Sequence, residues 1–286
     1  MKYTFIYSHR QSYSIKLLCE VMSVSRRGYY DWLSCPESKI EKQNQALAKV
    51  ILRIFNENRQ VYGAPRIHRA LIDEGYHCSL NRVARLMRRS NIVPKTIRKF
   101  RVTTNSRKSS KPAFNLLNRE FSPTQMNRVW ASDVTYIPTR EGWLFLAVVL
   151  DLYSRKVIGW SMSDRLTSCL AQQALMNALD QRCIDKGVLH HSDQGKEYYA
   201  DDFQMLLKSN KMIGSMSRKG DCYDNAVVES FFHSLKIELV HQCDYYSREE
   251  AKVSLFDYIE LFYNRKRMHS YLGYLSPVAF EKKNLY

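Results

Sequence analysis

Residues 129–138 read VWASDVTYIP, and residues 143–151 read WLFLAVVLD. The first segment alternates between apolar and polar side chains, which is typical of a half-buried β-strand. The second is an almost unbroken apolar run, which indicates a strand buried on both faces. Because a strand interior disfavours an acidic side chain, Asp133 within the first segment indicates a functional role.

The residues after these two segments predict further strands and helices in alternation. A polar turn follows the second strand. From there to the C-terminus, short apolar segments, which indicate strands, alternate with stretches whose apolar residues recur at helical spacing. The further predicted strands are 155–163, 187–191 and 212–217, and the predicted helices are 167–182, 201–209, 225–241 and 248–264. Five strands with interspersed helices predict an α/β fold, a mixed sheet with helices on its faces.

The first ninety residues have a helical pattern instead. Apolar faces at helical spacing recur, and Ser or Pro residues stand where helices begin. The predicted helices begin near Ser14, Ser25, Lys42, Arg66 and Ser79. The first two surround a tight turn, as in a helix-turn-helix, and a small structural bundle fits them nearly as well. The sequence therefore predicts an all-helical region ahead of the sheet.

Positive charge is concentrated in the first half of the chain. Residues 1–130 contain 25 basic and 8 acidic residues, whereas residues 131–286 contain 19 and 20. Between Gly75 and Arg119 there are 12 Lys or Arg residues and no acidic residue. This asymmetry predicts that the N-terminal half binds nucleic acid or another anionic surface.

The helix that begins at Ser79 carries four arginines opposite its apolar side chains. They are Arg82, Arg85, Arg88 and Arg89. A solvated helix face is the ordinary interpretation of one such helix, but a long stretch without acidic residues favours neutralisation by phosphates. We therefore predict that these arginines contact phosphates, with an affinity that falls steeply as salt rises.

Composition also excludes other classes of protein. The most apolar run, Trp143–Leu150, is far shorter than the ~20 residues of a bilayer-spanning helix. The N-terminal ten residues do not resemble a secretory signal. Seven cysteines without a CxxC pair argue against a zinc site and predict reduced thiols in a cytoplasmic protein.

Three acidic residues are candidates for catalysis. Asp133 lies in the first predicted strand, Asp193 directly follows the fourth, and Glu229 lies on a helix beside an apolar stripe. Taken singly, Asp193 fits a turn residue and Glu229 fits a solvent-facing charge, and both alternatives remain open. Together the carboxylates would form a set of hard oxygen ligands suited to Mg²⁺ or Mn²⁺, which assist phosphodiester chemistry.

The spacing of these residues resembles that of a known family. A stretch of 35 residues separates Asp193 from Glu229, which matches the DD(35)E pattern. Further matching motifs are VWASDVTYI at 129–137, HSDQG at 191–195, SMSRKGDCYDNA at 215–226, YNR at 263–265 and HSYLGYLSP at 269–277. On these motifs, which span almost the whole chain, the sequence resembles the OrfB transposases of bacterial insertion sequences, in the DDE superfamily of retroviral integrases.

The resemblance implies an RNase H-like core in which Asp133, Asp193 and Glu229 bind two Mg²⁺ ions, with Mn²⁺ as a substitute. Cleavage at the end of the element would free a 3′-OH, which would attack a second DNA phosphate without a covalent enzyme intermediate. Lys236 matches a basic position of the family and is expected to contact a phosphate.

The resemblance also bears on other basic residues and on domain limits. Arg218 and Lys219, in the segment before the catalytic helix, are expected to touch DNA. For the basic run 265–267, contact with DNA and simple decoration of a helix end remain equally open. The predicted regions are a helix-turn-helix-like segment at 1–40, a basic helical DNA-binding region at 41–111, a linker at 112–127, the catalytic core at 128–241 and a helical extension at 242–286.

The resemblance implies partners as well. Double-stranded DNA, comprising the terminal inverted repeats and a target, would be bound by a dimer or higher homo-oligomer in the bacterial cytoplasm, at the nucleoid. An upstream-frame OrfA product is expected as a partner or a frameshift fusion. Three functions remain open: a DDE transposase, an RNase H-like nuclease without strand transfer, and a DNA-binding regulator that is inactive without the upstream partner.

Overall fold

The computed structural model describes residues 2–34, 38–95, 114–184, 187–218 and 222–285. These ranges contain five strands that form one sheet in the order β3-β2-β1-β4-β5. The strands are β1 (Val129–Thr139), β2 (Gly142–Asp151), β3 (Val157–Ser163), β4 (Leu189–Ser192) and β5 (Ile213–Met216). Strands β1, β2 and β3 pair antiparallel, whereas β4 pairs parallel to β1 and to β5. The predicted mixed five-stranded sheet is confirmed.

Strand β2 separates two apolar cores. Leu146 and Val148 belong to the core that includes the helices near the C-terminus, whereas Ala147 and Val149 belong to the core on the opposite face. This explains why the β2 sequence is apolar without alternation. On β3, a Cβ at Gly159 would lie 2.3 Å from the Ala174 carbonyl oxygen, so glycine permits close packing of a helix there.

From β1 onward, the described part of the chain contains six α-helices between and after the strands. They are α7 (Ser168–Gln181), α8 (Lys196–Tyr199), α9 (Asp201–Ser209), α10 (Ala226–Glu238), α11 (Arg248–Phe256) and α12 (Pro277–Lys283). A 3₁₀ turn, Cys222–Asn225, precedes α10, and a π-helical segment, Asp257–Tyr263, continues α11. The sequence analysis does not predict α8 or α12, and α8, with four residues, is too short to show a helical period.

Within residues 2–34 and 38–95, which the structure describes ahead of the sheet, there are six α-helices. They are α1 (Lys2–His9), α2 (Ile15–Val21), α3 (Arg26–Ser34), α4 (Lys39–Glu57), α5 (Ala64–Asp73) and α6 (Leu80–Arg89). The side chains of Ser14, Ser38 and Ser79 accept backbone N–H groups at the starts of α2, α4 and α6. The sequence does not predict α1, of which only Ile6 is buried.

Helices α4–α6 pack against the C-terminal part of the chain. Arg59 forms an ion pair with Asp257, and the Tyr62 hydroxyl donates to the Lys266 carbonyl oxygen at 3.2 Å and accepts the Met268 N–H at 2.8 Å. Apolar side chains of these helices belong to the same core as one face of the sheet. In the described ranges, no helix combines the length and apolarity needed to cross a bilayer.

Candidate active site

Asp133 and Asp193 leave the sheet next to each other. Strands β1 and β4 are parallel neighbours in which Ser132 lies opposite Ser192, so the next residue of each chain segment is one of these aspartates. Asp133 Oδ1 accepts the Val134 N–H at 2.7 Å, and Asp193 Oδ1 accepts the Gly195 N–H at 2.9 Å. The sheet register therefore brings together two carboxylates that are 60 residues apart in the sequence.

These two carboxyl groups are difficult to ionise. Burial raises the pKa of Asp133 well above its ordinary value, and the negative charges of Asp193 and Glu229 raise it further. Burial also raises the pKa of Asp193, partly opposed by the hydrogen bond from the Gly195 N–H. Neighbouring carboxylates in a partly dry site favour a cation between them.

Glu229 lies in the first turn of α10, on its exposed side. Val228, Phe231 and Leu235 are buried on the other side of the helix and fix α10 against the sheet. Burial and the charge of Asp193 both raise the pKa of the Glu229 carboxyl. Three carboxylates from β1, the end of β4 and α10 thus share one electrostatic environment.

The three carboxylates do not form a finished metal site. Within the described residues, no three His, Cys, Asp or Glu side chains are arranged to hold one metal ion as they stand. Carboxylate oxygens are nevertheless the donors that Mg²⁺ and Mn²⁺ prefer, and a divalent cation would relieve the repulsion among these groups. The donor chemistry fits such an ion, and full coordination would require side-chain movement.

Sequence reasoning missed a fourth carboxylate, that of Glu197 on α8. Burial raises the pKa of Glu197, as does the charge of Asp193. A Cβ on Gly195 would lie 2.5 Å from Glu197 Oε1 and 3.0 Å from Asp193 Oδ1, so glycine leaves room for both carboxylates. Glu197 follows Asp193 by four residues, but α8, which carries Glu197, has only four residues and shows no helical period in the sequence.

Lys236 lies on the same side of α10 as Glu229. Its ammonium group sits 4.9 Å from the centre of the Tyr136 ring. Burial lowers the pKa of Lys236, and the nearby charge of Asp133 partly opposes this. The Lys236 side chain is therefore close enough to Asp133 to feel its charge, and it remains partly exposed to solvent.

The two histidines beside Asp193 are used for packing. His190 Nε2 is 2.8 Å from Ser132 Oγ, and His191 Nδ1 is 2.9 Å from Ser215 Oγ. Burial lowers the pKa of His190 to about 3 and that of His191 to about 4, so both are neutral at neutral pH. These contacts hold β4 between β1 and β5.

Asp224 organises the segment before α10. Its fully buried carboxylate accepts the Arg218 N–H at 2.9 Å, Arg119 Nε at 3.0 Å and Asn115 Nδ2 at 2.8 Å. Although burial opposes ionisation, the Arg218 N–H and the Arg119 guanidinium hold the pKa of Asp224 below its ordinary value. The Arg218 side chain is exposed, and Lys219 lies outside the described residues.

The four arginines of α6 have two different environments. Arg82 Nε donates to Asn44 Oδ1 at 3.0 Å, and Arg89 forms an ion pair with Glu41 at 2.6 Å. Both therefore bind α4. Arg85 and Arg88 are exposed on the surface of α6.

The basic run 265–267 does not behave as a unit. Arg265 and Lys266 are exposed, whereas Arg267 is only 5% exposed and lies 2.6 Å from Glu238 Oε1. Both interpretations of the run, DNA contact and surface decoration, are wrong for Arg267. Its acidic partner lies 29 residues earlier, so the sequence pattern gave no sign of the pair.

Three family models match the chain. Two are described as an integrase core domain and match residues 123–222 and 229–285, and one is described as an HTH-like domain and matches residues 42–100. The fold, the carboxylates and these matches define an integrase-core protein with a helix-turn-helix-like region ahead of the core.

Sequence identity to other proteins identifies the family within this class. The transposase InsF for insertion sequence IS3A of Escherichia coli K12 is 45% identical over 287 residues, which covers 100% of both chains. The insertion element IS600 uncharacterized 31 kDa protein of Shigella sonnei is 41% identical over 266 residues, covering 93% of this chain and 98% of that protein. The chain belongs to this family of insertion-sequence transposases.

Solved structures of viral integrases are also similar. The simian T-cell lymphotropic virus intasome contains a chain with a TM-score of 0.47 and 15% identity, covering 83% of this chain and 76% of that one. The HTLV-2 integrase catalytic core in complex with magnesium has a TM-score of 0.41 and 19% identity, covering 55% and 97%.

Proposed function

We propose that this transposase cleaves the ends of its own insertion element and joins them to target DNA, with Asp133, Asp193 and Glu229 as the catalytic carboxylates. The observation that carries the proposal is the register of β1 and β4, in which Asp133 and Asp193 follow directly opposed residues. The electrostatic influence of Glu229 on Asp133 supports its place in the same site.

The three carboxylates would hold Mg²⁺ or Mn²⁺, two ions by family expectation. A bound divalent cation supplies Lewis-acid stabilisation of the charge that develops on phosphate oxygens. The Val134 and Gly195 N–H groups orient Asp133 and Asp193 before any ligand arrives. Glu229, which has three rotatable bonds and an exposed position, completes the set by moving toward the aspartates.

Three basic residues position the DNA. Lys236, near Asp133, contacts a phosphate close to the scissile bond, and Arg218 with Lys219 contacts the strand beside it. Water first attacks the phosphodiester at the element end, and the bond between phosphorus and the 3′ oxygen breaks, which leaves a 3′-OH on the element and a 5′-phosphate on the flanking strand. That hydroxyl then attacks a phosphate of the target, whose own 3′ oxygen departs as a hydroxyl, so the same carboxylates serve both steps.

DNA recognition involves other regions and other chains. We assign the regions 1–40 and 41–111 to DNA binding, 112–127 to a linker, 128–241 to catalysis and 242–286 to a helical extension. Since two element ends must be joined together, the active form contains at least two copies of the chain. An OrfA partner or fusion adds recognition of the terminal repeats.

A strand-joining assay tests this function. Purified protein, MgCl₂ and a labelled duplex that carries the element end should give both a nicked strand with a 3′-OH and a joined product. Glu229→Gln should abolish both products, whereas Glu249→Gln, which changes an exposed carboxylate on α11, should leave them unchanged. Nicking without joining indicates a nuclease, and specific binding with neither product indicates a regulator; either result contradicts the proposal.

A further inference from the structure

Two aromatic side chains are exposed on the hairpin that β1 and β2 form. They are Tyr136, which is 49% exposed, and Trp143, which is 52% exposed. Pro138 lies opposite Trp143 in the register of the hairpin, and Tyr136 is two residues before Pro138, so both rings project from the same face. The ring centres are 5.0 Å apart and the ring planes meet at 79°, which is an edge-to-face contact.

The backbone of Trp143 is fixed by the start of α11. Arg248 Nε donates to the Trp143 carbonyl oxygen at 3.1 Å, and the Arg248 N–H donates to Glu141 Oε2 at 2.8 Å. At the tip of the hairpin, the Arg140 N–H donates to the Tyr245 carbonyl oxygen at 3.0 Å. The exposed indole therefore has a rigid support, so a ligand that stacks on it would bind with little loss of conformational entropy.

A positive charge lies beside the Tyr136 ring. The Lys236 ammonium group is 4.9 Å from the ring centre, which is within the range of a cation–π contact. Since the Tyr136 and Trp143 ring centres are 5.0 Å apart, the ammonium group lies within about 10 Å of the indole centre. The ion pairs among the described residues do not include Lys236. The two rings and the lysine thus combine flat apolar surface with positive charge.

This aromatic pair is continuous with the catalytic carboxylates. Tyr136 follows Asp133 by three residues on β1, which is about 10 Å along a strand. Lys236 follows Glu229 by seven residues on α10, which is about 10 Å along the same side of a helix. A DNA strand held at the carboxylates would therefore bring its neighbouring nucleotides within reach of the rings.

The two places are connected past the edge of β1. Pairing with β4 ends at Ser132, so within the described residues the rest of β1 has only β2 as a sheet neighbour. Asp133 and Tyr136 project from opposite faces of the strand, because side chains alternate along it. The contact between Lys236 and the Tyr136 ring nevertheless shows that a side chain of the catalytic helix reaches this ring.

We propose that Trp143, Tyr136 and Lys236 bind an unpaired nucleotide of the DNA strand next to the carboxylates. The base stacks on the indole, which packs against the Tyr136 ring, and a phosphate of the same strand contacts the Lys236 ammonium group. Every base can stack on an aromatic ring, but the paired interior of a duplex does not expose a base face for this contact. The choice of DNA rests on the proposed function of the chain as a DNA strand transferase.

Fluorescence anisotropy with a labelled oligothymidylate at a fixed KCl concentration tests the aromatic site. Trp143→Leu, which keeps an apolar side chain and removes the indole, should bind the oligonucleotide at least about fivefold more weakly than the wild type. Trp143→Phe should recover most of the affinity, because phenylalanine also offers an aromatic face. Phe256→Leu, the same kind of change at a residue that is 48% exposed on α11, should bind as the wild type does. Wild-type affinity in Trp143→Leu overturns the site, as does an equal loss of affinity in Phe256→Leu.

Two forms of the element end show whether the rings take an unpaired nucleotide there. One duplex is fully paired, and in the other the last two base pairs are replaced by mismatches. The wild type and Trp143→Phe should bind the mismatched end several-fold more tightly, because its bases are already unpaired. Trp143→Leu should bind the two ends equally. An undiminished preference in Trp143→Leu overturns the assignment, as does no preference in the wild type.

These readouts are independent of catalysis. Loss of joined product in the strand-joining assay, with the Trp143-dependent affinity intact, would contradict the proposed function and leave a nucleotide-binding site. Joined product without that affinity difference would contradict the aromatic site alone. If Trp143→Leu kept wild-type affinity for oligothymidylate and had a lower mass in size-exclusion chromatography, the rings would pack between copies of the chain, which overturns the assignment to DNA.

Discussion

Glu238 and Arg267 form a buried ion pair that joins the C-terminal end of α10 to the segment after the π-helical turn. Arg267 Nε lies 2.8 Å from Glu238 Oε2, and Nη2 lies 2.6 Å from Oε1. The Tyr258 hydroxyl donates to the same carboxylate. Since α10 also carries Glu229, this pair fixes the far end of the proposed catalytic helix.

Arg267→Met should therefore destabilise the protein strongly. Removing one partner of a buried pair leaves an uncompensated charge, which costs about 3–5 kcal/mol. Urea unfolding should show this decrease in the free energy of unfolding, whereas Arg265→Met, two residues away and exposed, should change it by less than about 0.5 kcal/mol. Equal effects of the two substitutions would exclude a structural role for the pair.

Asp224→Ala should destabilise the segment that leads into α10. The buried carboxylate accepts the Arg218 N–H and two side-chain donors, so its removal should lower the free energy of unfolding by about 2–3 kcal/mol. It should also reduce strand joining, because Glu229 follows this segment. The matched control is Asp244→Ala, at an exposed ion pair with Arg140, which should leave the free energy of unfolding nearly unchanged because solvent screens that pair. If Asp224→Ala were as stable as this control, the Asp224 carboxylate would not organise the segment before α10.

The arginines of α6 should separate into two functional pairs. Replacing Arg85 and Arg88 by Ala should weaken DNA binding and reduce its salt slope by about 0.9 for each phosphate that these side chains neutralise in the wild type, with little change in Tm. Replacing Arg82 and Arg89 should lower Tm, because these side chains bind Asn44 and Glu41 on α4. Anisotropy titrations and thermal melts distinguish the pairs, and an unchanged salt slope in the first variant would identify the exposed arginines as ordinary surface residues.

The stability of the metal-free protein should depend on pH through Asp133. Because its pKa is raised in the folded state, folding takes up a proton between the ordinary and the raised pKa, and stability falls as pH rises through that window. In EDTA at pH 7, Asp133→Asn should therefore raise Tm by about 2 °C or more. The difference in Tm between Asp133→Asn and the wild type should become smaller as pH approaches 4, about the ordinary pKa of Asp.

The control for this prediction is Asp202→Asn, which changes an exposed carboxylate on α9. It should leave Tm unchanged across the same pH range. A wild-type protein that is more stable than Asp133→Asn at pH 7 in EDTA would show that Asp133 is not repelled by its neighbours.

The sequence predicts the sheet and the three carboxylates because the patterns that indicate them lie within short, continuous stretches of the chain. The alternation of apolar and polar residues indicates β1, and the apolar run indicates β2. The motifs around Asp193 and Glu229 are each an unbroken stretch of sequence. These patterns did not show how β1 and β4 pair, and it is this register that places Asp133 beside Asp193.

The features that the sequence did not reveal depend on contacts between distant segments. Arg82 reaches an acceptor 38 residues earlier on α4, and Arg155 meets the Phe121 carbonyl oxygen 34 residues earlier. Local charge patterns cannot distinguish an arginine that binds its own protein from one that is exposed to DNA. Glu197 was missed because a four-residue helix has no measurable period.

Direct titration with Mn²⁺ tests the central claim that three carboxylates bind a divalent cation together. Electron paramagnetic resonance of free Mn²⁺ should show binding to the wild type and to Glu249→Gln, and at least about tenfold weaker binding to Asp133→Asn, Asp193→Asn and Glu229→Gln. Loss of affinity in all three variants, with native Tm or higher, is the result we predict. Wild-type Mn²⁺ affinity in any one of the three would contradict the account.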